Sequence, residues 1–287
     1  LVAHEIVMCF LLVAMVFMYR WARAEKLSVG ISAAVVVMFA LMPSTYLMSF
    51  NIWTENLYLL FSLAAIAALA RDSVISERMW ALAAVAVCAA LLTRVAALPL
   101  AVAFLFYLVK HRPRRMFPLA AIAIVPFAIW AAVSAITQRG AGAYVAHLQG
   151  KYSDNPVQFF IHQATVQSQA LYHAWLDAWL GQSPTAVAAV IVVIFGVLGL
   201  AGWLLRLRAL RFDAVYMALY LAMLIVWPHP EEAQRYSYVL FPLLLVYACL
   251  ILSRLPAYSI NARTYNLATA AGVLLAFIAM LPTLLLN

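Results

Sequence analysis

Two arginines, Arg94 and Arg235, stand inside or beside long apolar runs, in the stretches LLTRVAAL and WPHPEEAQRY. A planar guanidinium holds a phosphate through two parallel hydrogen bonds, so these residues predict an anion clamp, to which Tyr236 can add a hydrogen bond. A structural salt bridge or snorkelling explains Arg94 equally well. For Arg235 the structural reading is less adequate, because a cation near a helix N-terminus opposes the helix dipole.

One histidine and two acids are further candidates: two of the three lie shortly before Arg235 in the sequence, and the third stands at the start of another apolar run. His229 and Glu231 share the polar turn that precedes Arg235, and Glu55 opens an apolar run in FNIWTENLYLLF. His229 is a candidate substrate-binding residue, whereas Glu55 and Glu231 are reserve candidates for a general base. Acidic residues in a first turn also stabilise a helix through its dipole, so both carboxylates retain a purely structural explanation.

The composition identifies the solvent that surrounds these groups. Hydrophobic residues make up 68% of the chain and charged residues 10%, against about 45–50% and about 25% in ordinary globular chains. Only a bilayer accommodates that much apolar surface, so the net charge of +8 is interpreted as membrane topology and not as nucleic-acid binding. The cysteines, Cys9, Cys88 and Cys249, lie in apolar runs and indicate neither a disulfide nor a zinc site.

Continuous apolar runs rich in Ala and Leu predict an all-α polytopic membrane protein with about ten transmembrane helices. The expected spans are 5–20, 27–45, 54–70, 79–93, 95–109, 117–136, 185–205, 212–228, 236–253 and 266–286. Together they form a single transmembrane domain, 1–287, with six helices in 1–136, a long extracytoplasmic loop in 137–184 and four helices in 185–287.

The basic residues predict the orientation of these spans. Fourteen of the 18 Lys and Arg residues fall in every second gap between spans: Arg20, Arg23, Lys26, Arg71, Arg78, Lys110, Arg112, Arg114, Arg115, Arg206, Arg208, Arg211, Arg254 and Arg263. By the positive-inside rule those gaps are cytoplasmic, and Arg94 and Arg235 lie toward the extracytoplasmic side. The rule also predicts that 79–109 is a hairpin with Arg94 at its tip, since both of its flanks are basic.

The long loop is expected to contain an amphipathic interfacial helix. Apolar side chains recur there at helical spacing: Tyr172, Trp175, Leu176, Trp179 and Leu180. His173 and Asp177 share one face of that helix, but two such groups without a third ligand are more typical of a solvated face than of a metal site. No sequence motif requires a cofactor, and a divalent metal ion stays an open alternative.

Several stretches resemble the C-type-fold membrane glycosyltransferases. They are PSTYLMSFNIWTENLYLLFSLAAIAALAR, the later WALAAVAVCAALLTRVAALPL, and the closing QRYSYVLFPLLLVYA. The nearest likeness is to the GPI-anchor mannosyltransferase type and its bacterial relatives. Enzymes of this fold begin in the cytoplasm and carry a catalytic acid in their first outer loop. The two layouts coincide if one upstream helix is added, so the main catalytic acid is expected to lie before Leu1.

The resemblance implies transfer of a sugar from a polyprenyl-phosphate donor to a lipid or glycan acceptor at the extracytoplasmic face, with the arginines on the leaving phosphate. It implies an integral multi-pass protein of a bacterial inner or plasma membrane, whose partners are the donor, the acceptor and membrane lipids. Two other classes stay open: a multi-pass transporter or lipid flippase, and an enzyme similar to O-antigen polymerases or ligases.

Overall fold

Helices form throughout the residues that the computed structural model describes, which are 2–50, 54–70, 75–136, 156–180, 186–227 and 229–254. The α-helices are α1 Val2–Ala24, α2 Val29–Leu41, α3 Pro43–Phe50, α4 Glu55–Leu69, α5 Glu77–Thr93, α6 Leu98–His111, α7 Met116–Ile136, α8 Pro156–Leu180, α9 Ala186–Arg208, α10 Phe212–Val226, α11 Ala233–Ser237 and α12 Phe241–Arg254. Short 3-10 turns lead into α6, α7, α11 and α12. Within these residues there is no strand, so the all-α prediction is confirmed.

Four of the described helical segments are long and apolar enough to cross a bilayer: His4–Ala24, Met116–Ile136, Ala188–Arg208 and Pro230–Arg254. The pair α2 and α3 adds a fifth if it is counted as one bent span, and three shorter apolar helices accompany them. The chain is therefore a helical membrane protein. Each predicted span from 5–20 to 236–253 overlaps a helix, whereas 266–286 lies outside the described residues. That all ten cross the bilayer stays a prediction.

The predicted span 27–45 is not a straight helix. The axes of α2 and α3 differ by 59°, and the break falls at Met42, which is extended with φ −63° and ψ 132°. The residue before a proline is pushed out of the helical region by the proline ring, so Pro43 ends α2 and begins α3.

The hairpin predicted for 79–109 is present. Arg94 is extended, with φ −154° and ψ 136°, and it separates α5 from the turn that begins α6. Trp80, near the start of α5, contacts Tyr107, near the end of α6, with ring centroids 5.8 Å apart. The two arms therefore run antiparallel, and Arg94 lies at the tip of the hairpin.

Two buried ionic clusters mark the ends of the bundle. At one end, which we call the inner end, Arg206 of α9 bonds both carboxylate oxygens of Glu25 and both of Asp213, each at 2.7 Å. At the other, the outer end, lie Glu55, Arg94 and Arg235. Helix α10 carries Asp213 in its first turn and ends next to Trp227, whose ring contacts that of Tyr236 at 5.3 Å. Its 15 residues span about 22 Å at about 1.5 Å per residue. The basic residues predict that the inner end is cytoplasmic.

The helix α8 appears where an amphipathic helix was expected, but its tryptophans contact protein. Trp175 stacks edge-on against Phe241 and donates to the carbonyl of Val192 at 3.0 Å, and Trp179 packs against Phe195. Helical spacing alone does not distinguish a face turned to lipid from one turned to another helix. Tyr172 stays 51% exposed, and the interfacial position of α8 stays a prediction. Most of the remaining loop, 137–155 and 181–185, lies outside the described residues.

Candidate functional site

Three helix ends supply the charged groups of the outer end. Glu55 is the first residue of α4, Arg94 follows the last residue of α5, and Arg235 is the third residue of α11. Helix ends bring side chains to the mouth of a bundle while the apolar helix bodies pack below them. Glu55 follows Thr54, which is the N-cap residue but makes no side-chain capping bond. The distance between Arg94 and Arg235 at these helix ends decides whether the two guanidinium groups can form the predicted anion clamp.

Arg94 and Arg235 do lie together, because both donate to the same oxygen of Glu55. Nη1 of Arg94 and Nε of Arg235 both bond Oε1. The side chain of Glu55 is 1% exposed, that of Arg94 11% and that of Arg235 31%. We call these three residues the outer cluster. Two cations share one carboxylate, so the outer cluster has a formal charge of +1, and Arg235 is its most accessible member.

The aromatic ring of Tyr236 is shared by the two guanidinium groups. The guanidinium carbon of Arg94 lies 5.0 Å from the ring centroid and that of Arg235 5.8 Å, within the range of a cation–π contact. The hydroxyl of Tyr220 donates to the backbone carbonyl of Tyr236 at 3.0 Å. Tyr236 thereby restricts the positions that both side chains can adopt.

The polar turn before α11 divides into two pairs. His229 Nδ1 lies 2.9 Å from Oε1 of Glu231, whose side chain is 66% exposed. Glu232 lies 3.7 Å from Nη1 of Arg235, which is a loose contact three residues along the chain. Of the two reserve acids, Glu55 is enclosed by its arginines, whereas Glu231 reaches solvent. Their predicted catalytic roles stay predictions.

A layer of buried hydroxyls and amides lies beneath the outer cluster. Asn56 donates to the carbonyl of Met48 at 3.0 Å and accepts from the hydroxyl of Tyr238 at 3.1 Å. The hydroxyls of Tyr58 and Tyr216 lie 2.8 Å apart. This layer fixes the first turn of α4, and with it Glu55, against α3, α10 and the 3-10 turn that leads into α12. Sequence reasoning missed it, and its only signal was polar residues inside otherwise apolar helices.

An apolar cavity of about 680 Å³ lies on the other side of α11. Its walls come from α8, α9, α10 and α12, from Leu207 near the inner end to Tyr172 and Ser237 near the outer end. Ser237 is two residues after Arg235 on α11, so the helix separates the upper end of the cavity from the outer cluster. The cavity has the lining that a long hydrocarbon chain requires.

Comparisons with known proteins give no further guide to the site: no family model, no curated protein and no solved structure matches the chain. Within the described residues, no three His, Cys, Asp or Glu side chains are grouped so that they could hold a metal ion.

Proposed function

We propose that this chain is the membrane-embedded core of a glycosyltransferase that moves a sugar from a polyprenyl-phosphate donor to a lipid or glycan acceptor at the extracytoplasmic face. The observation that carries the proposal is the meeting of Arg94 and Arg235 at Glu55. Mannose is the first sugar to test, because the stretches that contain Glu55 and Arg94 resemble those of the GPI-anchor mannosyltransferase type. An apolar composition accounts for the membrane location, but it does not require two arginines and a glutamate to meet at one end of the bundle. The proposal gives this outer cluster its chemical role.

The reaction breaks the bond between the sugar C1 and the phosphate oxygen and forms a bond between C1 and an acceptor hydroxyl oxygen. The leaving polyprenyl phosphate gains one negative charge, and the acceptor hydroxyl loses its proton to a base. Arg94 and Arg235 neutralise the growing charge, and such electrostatic stabilisation of charge that develops in the transition state is usually the largest single contribution to catalysis. Glu55 acts as a positioning residue that keeps the two guanidinium groups at one place.

The remaining parts of the donor fit the surroundings of the outer cluster. The prenyl chain occupies the apolar cavity between α8, α9, α10 and α12, and its phosphate passes around the end of α11 to reach Arg235. Glu231 is the described reserve acid that is open to solvent, and we assign to His229 beside it the binding of the sugar or the relay of the proton.

The test is sugar transfer by the full-length protein in native membranes supplied with radiolabelled polyprenyl-phosphate mannose and, in parallel, other sugars. Arg94→Lys and Arg235→Lys keep the charge that balances Glu55 but lose the planar fork. We expect each to lower transfer about 100-fold or more, and Arg208→Lys, an exposed position at the inner end, to leave it unchanged. Full turnover in both outer variants, or no transfer from any donor by the wild-type protein, overturns the proposal.

A second candidate function is a multi-pass transporter or flippase, and the break between α2 and α3 favours it. Helices interrupted within the bilayer are used by transporters to present backbone groups and side chains to a substrate. In this function Arg94 binds the anionic substrate without any covalent change. The same labelled donor distinguishes the two: transport moves it intact across the membrane of a sealed vesicle, whereas transfer produces a labelled acceptor. A labelled polymer of repeating units would instead indicate an O-antigen polymerase or ligase.

A further inference from the structure

A basic pocket lies at the inner end of the bundle, away from the outer cluster. It has a volume of about 360 Å³ and is built from the start of α5, the turn between α6 and α7, and the first turn of α7. Its charged lining is Glu77, Arg78, Arg112 and Arg115. Three arginines and one glutamate give this lining a formal charge of +2. The function proposed above makes no use of it.

The arginines of this pocket are held in different ways. Arg112 donates to the carbonyl of Ile75 at 2.9 Å, which ties the turn after α6 to the segment before α5. Arg115 pairs with Glu77, and both side chains are well exposed, at 60% and 58%. An exposed ion pair contributes little to stability and is readily rearranged by a stronger anion. Arg112 therefore holds the two segments of the pocket together, whereas the side chain of Arg115 can leave Glu77 for a bound anion.

The other half of the pocket is apolar and continues along α7. Trp80, Ala81, Pro118 and Leu119 complete the lining. Along α7, only 6% of the membrane-spanning window is buried inside the described protein. Phe117 and Ile129, for example, are 77% and 60% exposed. A positively charged pocket at the N-terminal end of an exposed apolar helix is complementary to an amphiphile that has an anionic headgroup and hydrocarbon chains.

We infer that this pocket binds the headgroup of an anionic phospholipid, whose acyl chains lie along α7. The inner end is the one that the basic residues predict to be cytoplasmic, and basic pockets between transmembrane helices on that side bind anionic lipid headgroups. A soluble phosphate ester would use the arginines but not the apolar half of the pocket or α7. The ligand is therefore a membrane lipid and not a free anion.

The experiment measures binding of phosphatidylglycerol to the detergent-solubilised full-length protein by titration, with the shift of the thermal unfolding midpoint as the readout. Phosphatidylcholine and free glycerol 3-phosphate are titrated in parallel. We expect phosphatidylglycerol to stabilise the protein, and the other two to have little effect. Stabilisation of equal size by phosphatidylcholine, or by glycerol 3-phosphate at the same concentration, overturns the inference.

Two opposite variants sharpen the test. The double substitution Arg78→Gln and Arg115→Gln removes two charges that interact with the headgroup and is expected to weaken the apparent affinity about thirtyfold. Glu77→Gln removes the only acid of the lining and is expected to tighten it about fivefold. Arg208→Gln, an exposed arginine at the same end but outside the pocket, is the matched control. If that control weakens binding as much as the double variant, or if Glu77→Gln weakens it, the pocket is not the site.

Discussion

Arg94 and Arg235 direct their guanidinium groups at one carboxylate oxygen, although one belongs to a hairpin tip and the other to a short helix late in the chain. Two like charges approach so closely only when an opposite charge lies between them. Glu55 supplies that charge, and Tyr236 lies against both cations. The arrangement joins α4, the α5–α6 hairpin and α11 at the outer end of the bundle.

Removal of the shared carboxylate should therefore destabilise the protein. In Glu55→Gln the largely buried Arg94 loses its carboxylate, while Arg235 keeps its loose contact with Glu232. Breaking a buried ion pair typically costs about 3–5 kcal/mol. Glu77→Gln is the matched control, because its pair with Arg115 is exposed and worth about 0–1 kcal/mol. Thermal unfolding of the purified protein in detergent measures both. Equal midpoints for the two variants would show that Glu55 does not organise the cluster.

The ionic cluster of Arg206, Glu25 and Asp213 at the inner end allows a comparison between a broken ion pair and a removed one. Arg206→Met leaves the carboxylates of Glu25 and Asp213 buried without their cation, and we expect a loss of about 3–5 kcal/mol in the free energy of unfolding. The triple variant Arg206→Met, Glu25→Gln and Asp213→Asn removes all three charges and should recover most of that loss. Denaturant unfolding measures the difference. A single variant as stable as the wild type contradicts the structure at this place.

The contact between α9 and α12 depends on a glycine. A Cβ atom at Gly202 would lie 2.5 Å from the carbonyl oxygen of Tyr247, and one at Gly199 would lie 2.8 Å from that of Leu244. Gly202→Ala must push the two helices apart, and overpacking of this kind costs about 1–3 kcal/mol. Gly30→Ala is the control, since no described atom lies within 4 Å of a Cβ there. Its unfolding midpoint should equal or exceed that of the wild type, while that of Gly202→Ala falls.

The orientation of the bundle can be tested by labelling. In a background with Cys9, Cys88 and Cys249 replaced by Ser, Glu231→Cys places a thiol at the outer end and Arg114→Cys places one at the inner end. A membrane-impermeant maleimide applied to intact spheroplasts of a bacterial expression host should label the first and leave the second unlabelled until the membrane is permeabilised. This result follows from the distribution of basic residues. Labelling of both from the same side would refute the predicted topology.

The sequence predicted features that depend on local pattern and on charge along the membrane normal. The reversal at Arg94 followed from basic residues on both flanks of 79–109, and the closeness of Arg94 and Arg235 followed from their placement toward one side. The role of Glu55 did not follow, because an acid in a first helical turn already has a local explanation in the helix dipole. Contacts between residues far apart in the chain leave no trace in the periodicity of either segment.

The same limit explains two further differences. Trp175 and Trp179 lie on an apolar helical face, and that pattern is identical whether lipid or another helix covers the face. Arg206 was interpreted as one of many topology-setting arginines, yet it is 5% exposed and bonded to two acids, one directly after α1 and one in the first turn of α10. The bend between α2 and α3 had a local signal in Pro43, which a continuous apolar run concealed.

The two arginines that bind Glu55 are also synthesised at different times. Arg94 follows it by 39 residues and Arg235 by 180. Ribosomes add roughly 5–20 residues per second, so the second guanidinium emerges on the order of ten seconds after the first. A nascent α4–α6 segment thus enters the bilayer with one acid and one base matched to each other. The second guanidinium joins Glu55 only when α11 docks, so the anion clamp that we propose is assembled late in the biogenesis of the protein.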